Sequence, residues 1–168
     1  MLVDVSQSMQ TWSSAYLHLM RAFARTRRAE TFAFSTALTR LTPALSHHSA
    51  SVAVARAGEE VVDRFGGTHL ASSLTELLTS RHGNALRGGV LVIASDGWDS
   101  DPPKQLAAAM ARAARRTRRI VWLNPRAAAD GFRPLVGSMA AALPYCDAFL
   151  PADRLRSLPE VFDAIAGT

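Results

Sequence analysis

The chain has 168 residues, the length of one domain with an ordinary core. Hydrophobic residues make up 48% of the sequence and charged residues 20%, which are globular values and exclude disorder as a global description. No apolar run in the sequence approaches the roughly 20 residues that a membrane-spanning helix needs. The net charge of +5 comes from arginine, since Lys104 is the only lysine, and it favours acidic partners.

The first elements alternate between strand and helix patterns. Residues 2–5 read as the end of a strand, and a helix is predicted to follow Ser8. The residues that share the apolar face of this helix are Met9, Trp12, Tyr16, Leu19, Met20 and Phe23. Residues 31–34 and 38–41 are two short strands that form a predicted hairpin, and residues 51–64 form a predicted helix.

The middle of the chain contains the most apolar predicted strand. Before it, Gly66 and Gly67 open into a helix, with Thr68 placed to cap the helix N-terminus. The residues of this helix predicted to face the core are Leu70, Leu74, Leu77 and Leu78. Residues 90–94 are continuously apolar, as a central strand buried on both faces requires.

The last third repeats the alternation. Asp101 is a predicted N-cap for a helix that runs to about residue 118. Residues 120–123 and 148–150 are predicted strands. Ser157 begins a capping-box pattern that starts the closing helix. The residues of that helix predicted to face inward are Val161, Phe162 and Ile165.

We therefore predict a single α/β domain over residues 1–168. Its expected architecture is a three-layer, doubly wound sheet that is mainly parallel with one antiparallel edge strand, and helices cover both faces. The first strand has almost no residues before Asp4, whereas strands usually run about five or six. A missing upstream region and a short first strand both explain this, and both readings stay open.

Hydroxyl and carboxylate side chains cluster where the predicted strands end. Asp4, Ser6 and Ser8 follow the first strand, Thr68 opens a helix, and Asp96 follows the central strand. Open α/β sheets bind ligands at the carboxyl ends of their strands. Each piece alone is typical of helix capping or a turn. Together they form an all-oxygen ligand set, which hard cations such as Mg²⁺, or alternatively Mn²⁺ or Ca²⁺, prefer.

The same residues resemble a known family. The segment from Asp4 to Ser8, with Thr68 and Asp96, resembles the metal-ion-dependent adhesion site (MIDAS) of von Willebrand factor A (VWA) domains, which have a Rossmann-like fold. One departure is Gln7, where that family usually has glycine. The segments that narrow the resemblance to the CoxE-like branch are residues 32–39, 66–68, 95–97, 122–125 and 141–144.

The resemblance implies a role for each site residue. Ser6 and Ser8 would bind the metal directly, Thr68 directly or through water, and Asp4 and Asp96 mainly through water. An ion whose charge is incompletely neutralised attracts an acidic side chain from a partner, which would complete its coordination shell. CoxE-like proteins are associated with MoxR-type AAA+ ATPases and with maturation of metalloenzymes such as carbon monoxide dehydrogenase. An accessory role in metalloenzyme assembly is therefore expected.

Two other functions remain as alternatives. The first is an RNA-associated module in which a stripe on one helix face contacts RNA; its residues are Arg112, Arg115, Arg116 and Arg119. No aromatic residues interleave with this stripe, so nucleic acid is not the expected partner. The second is a Mg²⁺-dependent phosphohydrolase using Asp4 and Asp96. No phosphate-binding Gly-x-x-x-x-Gly-Lys loop or suitably spaced base accompanies them, so we expect neither catalysis nor a small-molecule substrate.

The single cysteine, Cys146, excludes an internal disulfide framework. One cysteine fits a reducing compartment, and the first residues lack the pattern of a signal peptide. A cytoplasmic location is therefore predicted.

Overall fold

A computed structural model describes residues 1–26, 28–61, 67–134, 137–154 and 157–167. The strands within these ranges are β1 (Leu2–Asp4), β2 (Phe32–Phe34), β3 (Leu38–Arg40), β4 (Val90–Ala94), β5 (Arg119–Asn124) and β6 (Ala148–Pro151). The α-helices are α1 (Gln10–Ala24), α2 (Thr42–Leu45), α3 (Ala50–Glu60), α4 (Leu70–Thr79), α5 (Pro103–Ala114), α6 (Gly137–Ala142) and α7 (Leu158–Ala166). None of the described helices is long and apolar enough to cross a membrane.

One sheet contains these strands in the order β3-β2-β1-β4-β5-β6. All neighbours are parallel except β2 and β3, which pair antiparallel at the edge. The predicted hairpin and the predicted doubly wound architecture are confirmed. The chain builds outward from β1 to β3 on one side, then returns to β4 on the other side of β1. The carboxyl ends of β1 and β4 therefore border the crevice at which open α/β sheets bind ligands.

Successive residues of the central strands enter opposite cores. Leu2, Leu91 and Trp122 face a core that includes the apolar sides of α4, α5 and α6. Their neighbours Val3 and Val92 face a second core formed with α1, α2, α3 and α7. This two-residue alternation explains why β4 is apolar throughout: each face of the sheet is covered by helices.

The helix after β4 is shorter than predicted at both ends. Helix α5 begins at Pro103, and Pro102, not Asp101, occupies the N-cap position. It ends at Ala114 and not near residue 118, because the following backbone turns back to the start of β4. There the Gly88 N–H donates to the Arg116 carbonyl at 2.9 Å and the Arg118 N–H donates to the Gly89 carbonyl at 2.8 Å.

The predicted arginine stripe is therefore not a helix face. Arg112 lies in α5, but Arg115 caps its end and Arg119 is the first residue of β5. Two of these side chains contact the ends of other helices. The Arg116 guanidinium donates to the Leu78 carbonyl of α4, and that of Arg119 donates to the Ala164 carbonyl of α7 at 2.8 Å.

Two further helix predictions need correction. In α7, Val161 is buried as predicted, but Phe162 is 46% exposed and does not face inward, because it stands at the rim of the second core. The Ser157 side chain makes no capping hydrogen bond. Helix α3 begins at Ala50 and ends at Glu60, and Val61, which was predicted to be helical, has an extended backbone; the rest of the prediction, residues 62–64, lies outside the described residues.

The N-terminus of α4 is capped from another loop. Thr68 was predicted as the cap, but the helix begins two residues later and the Thr68 side chain makes no capping bond. Asp99, in the loop after β4, accepts from the backbone N–H groups of Leu70 at 3.0 Å and Ala71 at 3.2 Å. The carboxylate replaces a local cap because the loops after β4 and before α4 meet at the same sheet edge. The predicted apolar face of the helix is buried as expected.

Replacing Asp99 with alanine removes the acceptors of the Leu70 and Ala71 N–H groups, while Asp101 still accepts from the Ser72 N–H at 2.8 Å. We expect Asp99→Ala to lower the free energy of unfolding by about 1–2 kcal/mol, the usual cost of losing a helix cap. Asp99→Asn keeps one acceptor and is expected to lose less. Urea unfolding measures the differences, with Asp130→Ala as an exposed control that has no capping role. An Asp99→Ala variant as stable as the Asp130→Ala variant would contradict the assignment.

Candidate metal site

Asp4 lies fully buried in the crevice between β1 and β4. One carboxylate oxygen accepts from the Ser6 backbone N–H at 2.9 Å, and the other accepts from the Ser95 hydroxyl at 2.8 Å. The Ser95 oxygen in turn accepts from the Gly97 N–H at 3.1 Å. Because Val3 pairs in register with Ala94, the two loops leave the sheet side by side, and Asp4 joins them.

The two serines of the first loop present their hydroxyls as a pair. Ser6 is buried, and its Oγ lies 3.2 Å from the Oγ of Ser8. A 3-10 turn over Gln7–Met9 brings them to the same side of the loop. Adjacent ligands of an octahedral Mg²⁺ ion, each at about 2.1 Å from it, lie about 3 Å apart. The spacing of the two hydroxyls fits two neighbouring positions of such a shell.

Asp96 contributes a buried carboxylate oxygen that lacks a hydrogen bond. Its Oδ1 accepts from the Trp98 N–H at 3.3 Å, whereas Oδ2 is buried with no hydrogen-bond partner among the described residues. The Nε of Arg126 stands 3.1 Å from Oδ2, so the two form an ion pair by distance, but the N–H does not point at the oxygen. A buried carboxylate oxygen without a hydrogen bond is costly, and a metal ion or a metal-bound water would supply the missing contact.

The Thr68 loop reaches the same edge of the sheet. Thr68 is 8% exposed, and its carbonyl accepts from the Ser100 N–H at 2.7 Å. The next residue, His69, donates its N–H to the Ser35 carbonyl at 2.8 Å, just beyond β2. In the part of the chain that the structure describes, the Thr68 hydroxyl makes no hydrogen bond. Thr68 therefore remains a candidate ligand, and its loop lies at the same sheet edge as those of Asp4 and Asp96.

Glycines allow these loops to pass closely. Gly97 has a φ of +87°, and a Cβ at this position would lie 3.1 Å from the Met139 sulfur. A side chain there is disfavoured both by the backbone conformation and by the packing. A Cβ on Gly67 would lie 3.1 Å from the Ser100 hydroxyl. Gly97 thus makes a tight turn beside the Asp96 carboxylate, while Gly66 lies outside the described residues.

Two side chains of β5 that were not predicted as site residues hydrogen-bond to the backbone of Ser95 and Asp96, directly after β4. The Trp122 indole N–H donates to the Ser95 carbonyl at 2.9 Å, and the buried Asn124 amide donates to the Asp96 carbonyl at 3.1 Å. Both belong to the Trp-Leu-Asn-Pro segment that marked the family resemblance. Polar side chains at the end of a buried strand were the available signal, because such groups need partners at the sheet edge.

The environment of Asp4 opposes its ionisation. Burial raises the pKa of Asp4 to about 6, and the negative charge of Asp96 adds to this rise, whereas the hydrogen bonds from Ser6 and Ser95 lower it. A cation in the crevice would favour the ionised form. The described residues hold no group of three or more histidine, cysteine, aspartate or glutamate residues suited to a metal. A site here would thus depend on hydroxyls beside two carboxylates.

The raised pKa has a consequence for the stability of the metal-free protein. An ordinary aspartate titrates near 3.8, so the folded state binds this proton more tightly than the unfolded state does. The stabilisation is fully present below pH 3.8 and is lost as the pH rises through about 6. The difference corresponds to about 3 kcal/mol at neutral pH. A neutral side chain at this position avoids the loss.

We therefore expect Asp4→Asn to unfold at higher urea than the wild type at pH 7.5 in EDTA. The gain is expected to be smaller than the full difference, because an amide accepts only one of the two hydrogen bonds. At pH 4.5 the advantage is expected to shrink or reverse, since the wild-type carboxyl is then largely protonated. An asparagine variant less stable than the wild type at pH 7.5 would show that the buried charge is not the dominant cost.

Comparisons with known proteins agree with this fold. The family model described as "VWA domain containing CoxE-like protein" matches residues 1–158. No curated protein matches the chain. Among solved structures, proximal thread matrix protein 1 from the mussel byssus is similar in two crystal forms, with TM-scores of 0.55 and 0.52 and sequence identities of 15% and 13%.

The solved structures support the fold alone at this level of identity. The match covers 98% of this chain but only 46% and 44% of the two mussel chains, so this chain spans less than half of their length. The family model spans most of this sequence and leaves only the last ten residues unmatched. This chain belongs to the CoxE-like family of proteins that contain a VWA domain.

Proposed function

We propose that the chain is a divalent-metal-dependent protein-interaction module of the MIDAS type. Mg²⁺, or alternatively Mn²⁺ or Ca²⁺, would be held by Asp4, Ser6, Ser8, Thr68 and Asp96. The observation that carries this proposal is the buried Oδ2 of Asp96, which lacks a hydrogen bond. The 3.2 Å pairing of the Ser6 and Ser8 hydroxyls supports it, because hydroxyl and carboxylate oxygens suit hard cations.

The ligand set suits recognition of an acidic group. Two hydroxyls as direct ligands leave the charge of a divalent ion largely uncompensated, and carboxylates one water away only partly offset it. An acidic side chain from a partner then gains a strong, directional contact. Beside Asp96, Trp98 is 60% exposed and offers an aromatic surface next to that contact. Exposed aromatic residues are frequent anchors in protein interfaces.

Membership of the CoxE-like family links the proposal to carbon monoxide dehydrogenase-associated functions. We propose an accessory role in metalloenzyme assembly in the cytoplasm, with a MoxR-type AAA+ ATPase or the metalloenzyme itself as the acidic partner. Such a role requires binding and release and no bond chemistry in this chain. The proposed partner contact is therefore made through the ion and not through an active site.

Metal binding is tested by titrating EDTA-treated protein with Mg²⁺ and Mn²⁺ in a calorimeter. We expect saturable binding to one site in the wild type. Ser6→Ala/Ser8→Ala removes both paired hydroxyls and is expected to weaken binding at least a hundredfold, since each lost ligand removes direct coordination. The matched control is Ser13→Ala/Ser14→Ala, which changes two serines of α1 away from the crevice. Unchanged binding in the Ser6/Ser8 variant would sink the proposed site.

The partner contact is tested by capture of proteins from the native host with the wild type and the Ser6/Ser8 variant. An AAA+ ATPase or a metalloenzyme subunit is expected with the wild type in Mg²⁺ and in neither the EDTA sample nor the variant. Equal recovery in all three samples would show that the interaction does not use the ion.

We further propose that the chain is not an enzyme. The crevice brings Asp4 and Asp96 together with hydroxyl side chains. We assign neither a nucleophile nor a general base among these residues. We expect no phosphatase or ATPase turnover above background in Mg²⁺ or Mn²⁺. Metal-dependent hydrolysis that disappears in Asp4→Ala would contradict this and would favour a phosphohydrolase. An RNA-binding role gains little support, because the side chains of Arg116 and Arg119 already bind helix-end carbonyls.

A further inference from the structure

Arg126 places a positive charge against the candidate metal site. Its Nε lies 3.1 Å from Oδ2 of Asp96, the buried oxygen without a hydrogen bond. The Asp96 side chain is 0% exposed, whereas that of Arg126 is 45% exposed, so the guanidinium covers the carboxylate from the solvent side. Its Cζ lies 5.9 Å from the centroid of the Trp12 ring.

The position of Arg126 is fixed by the backbone and not by its charge. The Asn124 side-chain oxygen accepts from the backbone N–H of Arg126 at 2.9 Å, while the Asn124 side-chain amide group donates to the Asp96 carbonyl. One buried asparagine thus sets both the loop that carries the carboxylate and the turn that carries the cation. Neither of these two hydrogen bonds involves the Arg126 guanidinium, so movement of the side chain away from Asp96 leaves both of them in place.

The Arg126 guanidinium and a divalent ion would compete for the same oxygen, Oδ2 of Asp96. Each is attracted to the Asp96 carboxylate, and they repel one another at the short distances of a shared site. The ion pair is also poorly aligned for a hydrogen bond, which makes it easier to displace than a bidentate pair. The guanidinium also lies over the Trp12 ring while it pairs with Asp96, so Asp96 is not its sole attractive contact.

We propose that Arg126 is a tethered cation that competes with the divalent ion for Asp96 and thereby sets the affinity of the site. This inference rests on the proposed metal site. Without the ion, Arg126 compensates the buried carboxylate; with the ion bound, the guanidinium is displaced from Asp96 toward solvent. Arg126 is a positioning and affinity-setting residue in this scheme and is not itself a metal ligand.

Linkage adds a second consequence. Any group that draws Arg126 away from Asp96 raises metal affinity, and by reciprocity the bound metal makes Arg126 more available to that group. An acidic side chain is such a group, and it is also the chemistry expected at the open position of the ion. Arg126 therefore makes metal and acidic partner bind cooperatively, each removing an obstacle to the other.

The test compares Mn²⁺ affinity by calorimetry for the wild type, Arg126→Met and Arg154→Met. Methionine keeps the apolar stem and removes the charge. We expect Arg126→Met to bind about tenfold more tightly than the wild type, near the low end of usual coupling energies because the arginine is half exposed. Arg154 lines the same groove as Arg126 and pairs with Asp153 at 2.7 Å, so Arg154→Met removes one charge without touching Asp96.

The control separates the local contact from the net charge. Arg154→Met is expected to change Mn²⁺ affinity less than twofold, since an exposed charge farther from the ion is screened by solvent and salt. Arg126→Met/Ser6→Ala is expected to lose the tight binding, which would place the ion at the proposed site. Unfolding midpoints for each variant show whether the domain remains folded.

Each outcome decides the matter. Equal or weaker binding by Arg126→Met, with binding by the wild type intact, overturns the competition and leaves the metal site standing. An equal gain in Arg154→Met assigns the effect to overall charge and also overturns it. No binding in any of the proteins removes the metal site and this inference together.

Discussion

The candidate metal site depends on the hydrogen bonds made by the buried carboxylate of Asp4. It accepts from the Ser6 backbone on one side and the Ser95 hydroxyl on the other, at the point where the sheet reverses its direction of growth. Burial alone disfavours the charged form, so this carboxylate is held by donors that also shape both loops. The Ser6 and Ser8 hydroxyl pair and the Asp96 loop take their positions from this junction.

The surroundings of that junction leave it short of positive charge. Asp4 and Asp96 share a crevice, and the guanidinium of Arg126 pairs with Asp96 without a hydrogen bond to its Oδ2. Two carboxylates that share a crevice disfavour each other's charge, and a nearby cation offsets that repulsion. The chain's own arginine relieves part of it, and a divalent ion would relieve more. The affinity of the site for the ion and the attraction of the ion for an acidic partner would then both depend on the charges in this crevice.

The sequence predicted the features that depend on local pattern. Strand β4 was predictable because both of its faces are buried and its sequence is therefore apolar throughout. The hairpin of β2 and β3 was predictable because two short strand segments are separated by a short turn. The cap of α4 was not predictable, because Asp99 lies 29 residues from Leu70 along the chain. The end of α5 depends on backbone bonds to Gly88 and Gly89, which local helix propensity does not report. Arg126 likewise meets Asp96 only through the fold.

The hydrogen bond between Asp4 and Ser95 joins residues 91 positions apart. During synthesis β1 and the hairpin of β2 and β3 emerge long before β4, so one edge of the central strand waits without its partner. An unpaired strand edge invites pairing with other chains, and contacts this distant in sequence form slowly. Seating β4 both closes that edge and completes the crevice. A chain caught before this step would lack the proposed ion site, so ion binding, if the proposal holds, distinguishes finished molecules from nascent or misassembled ones.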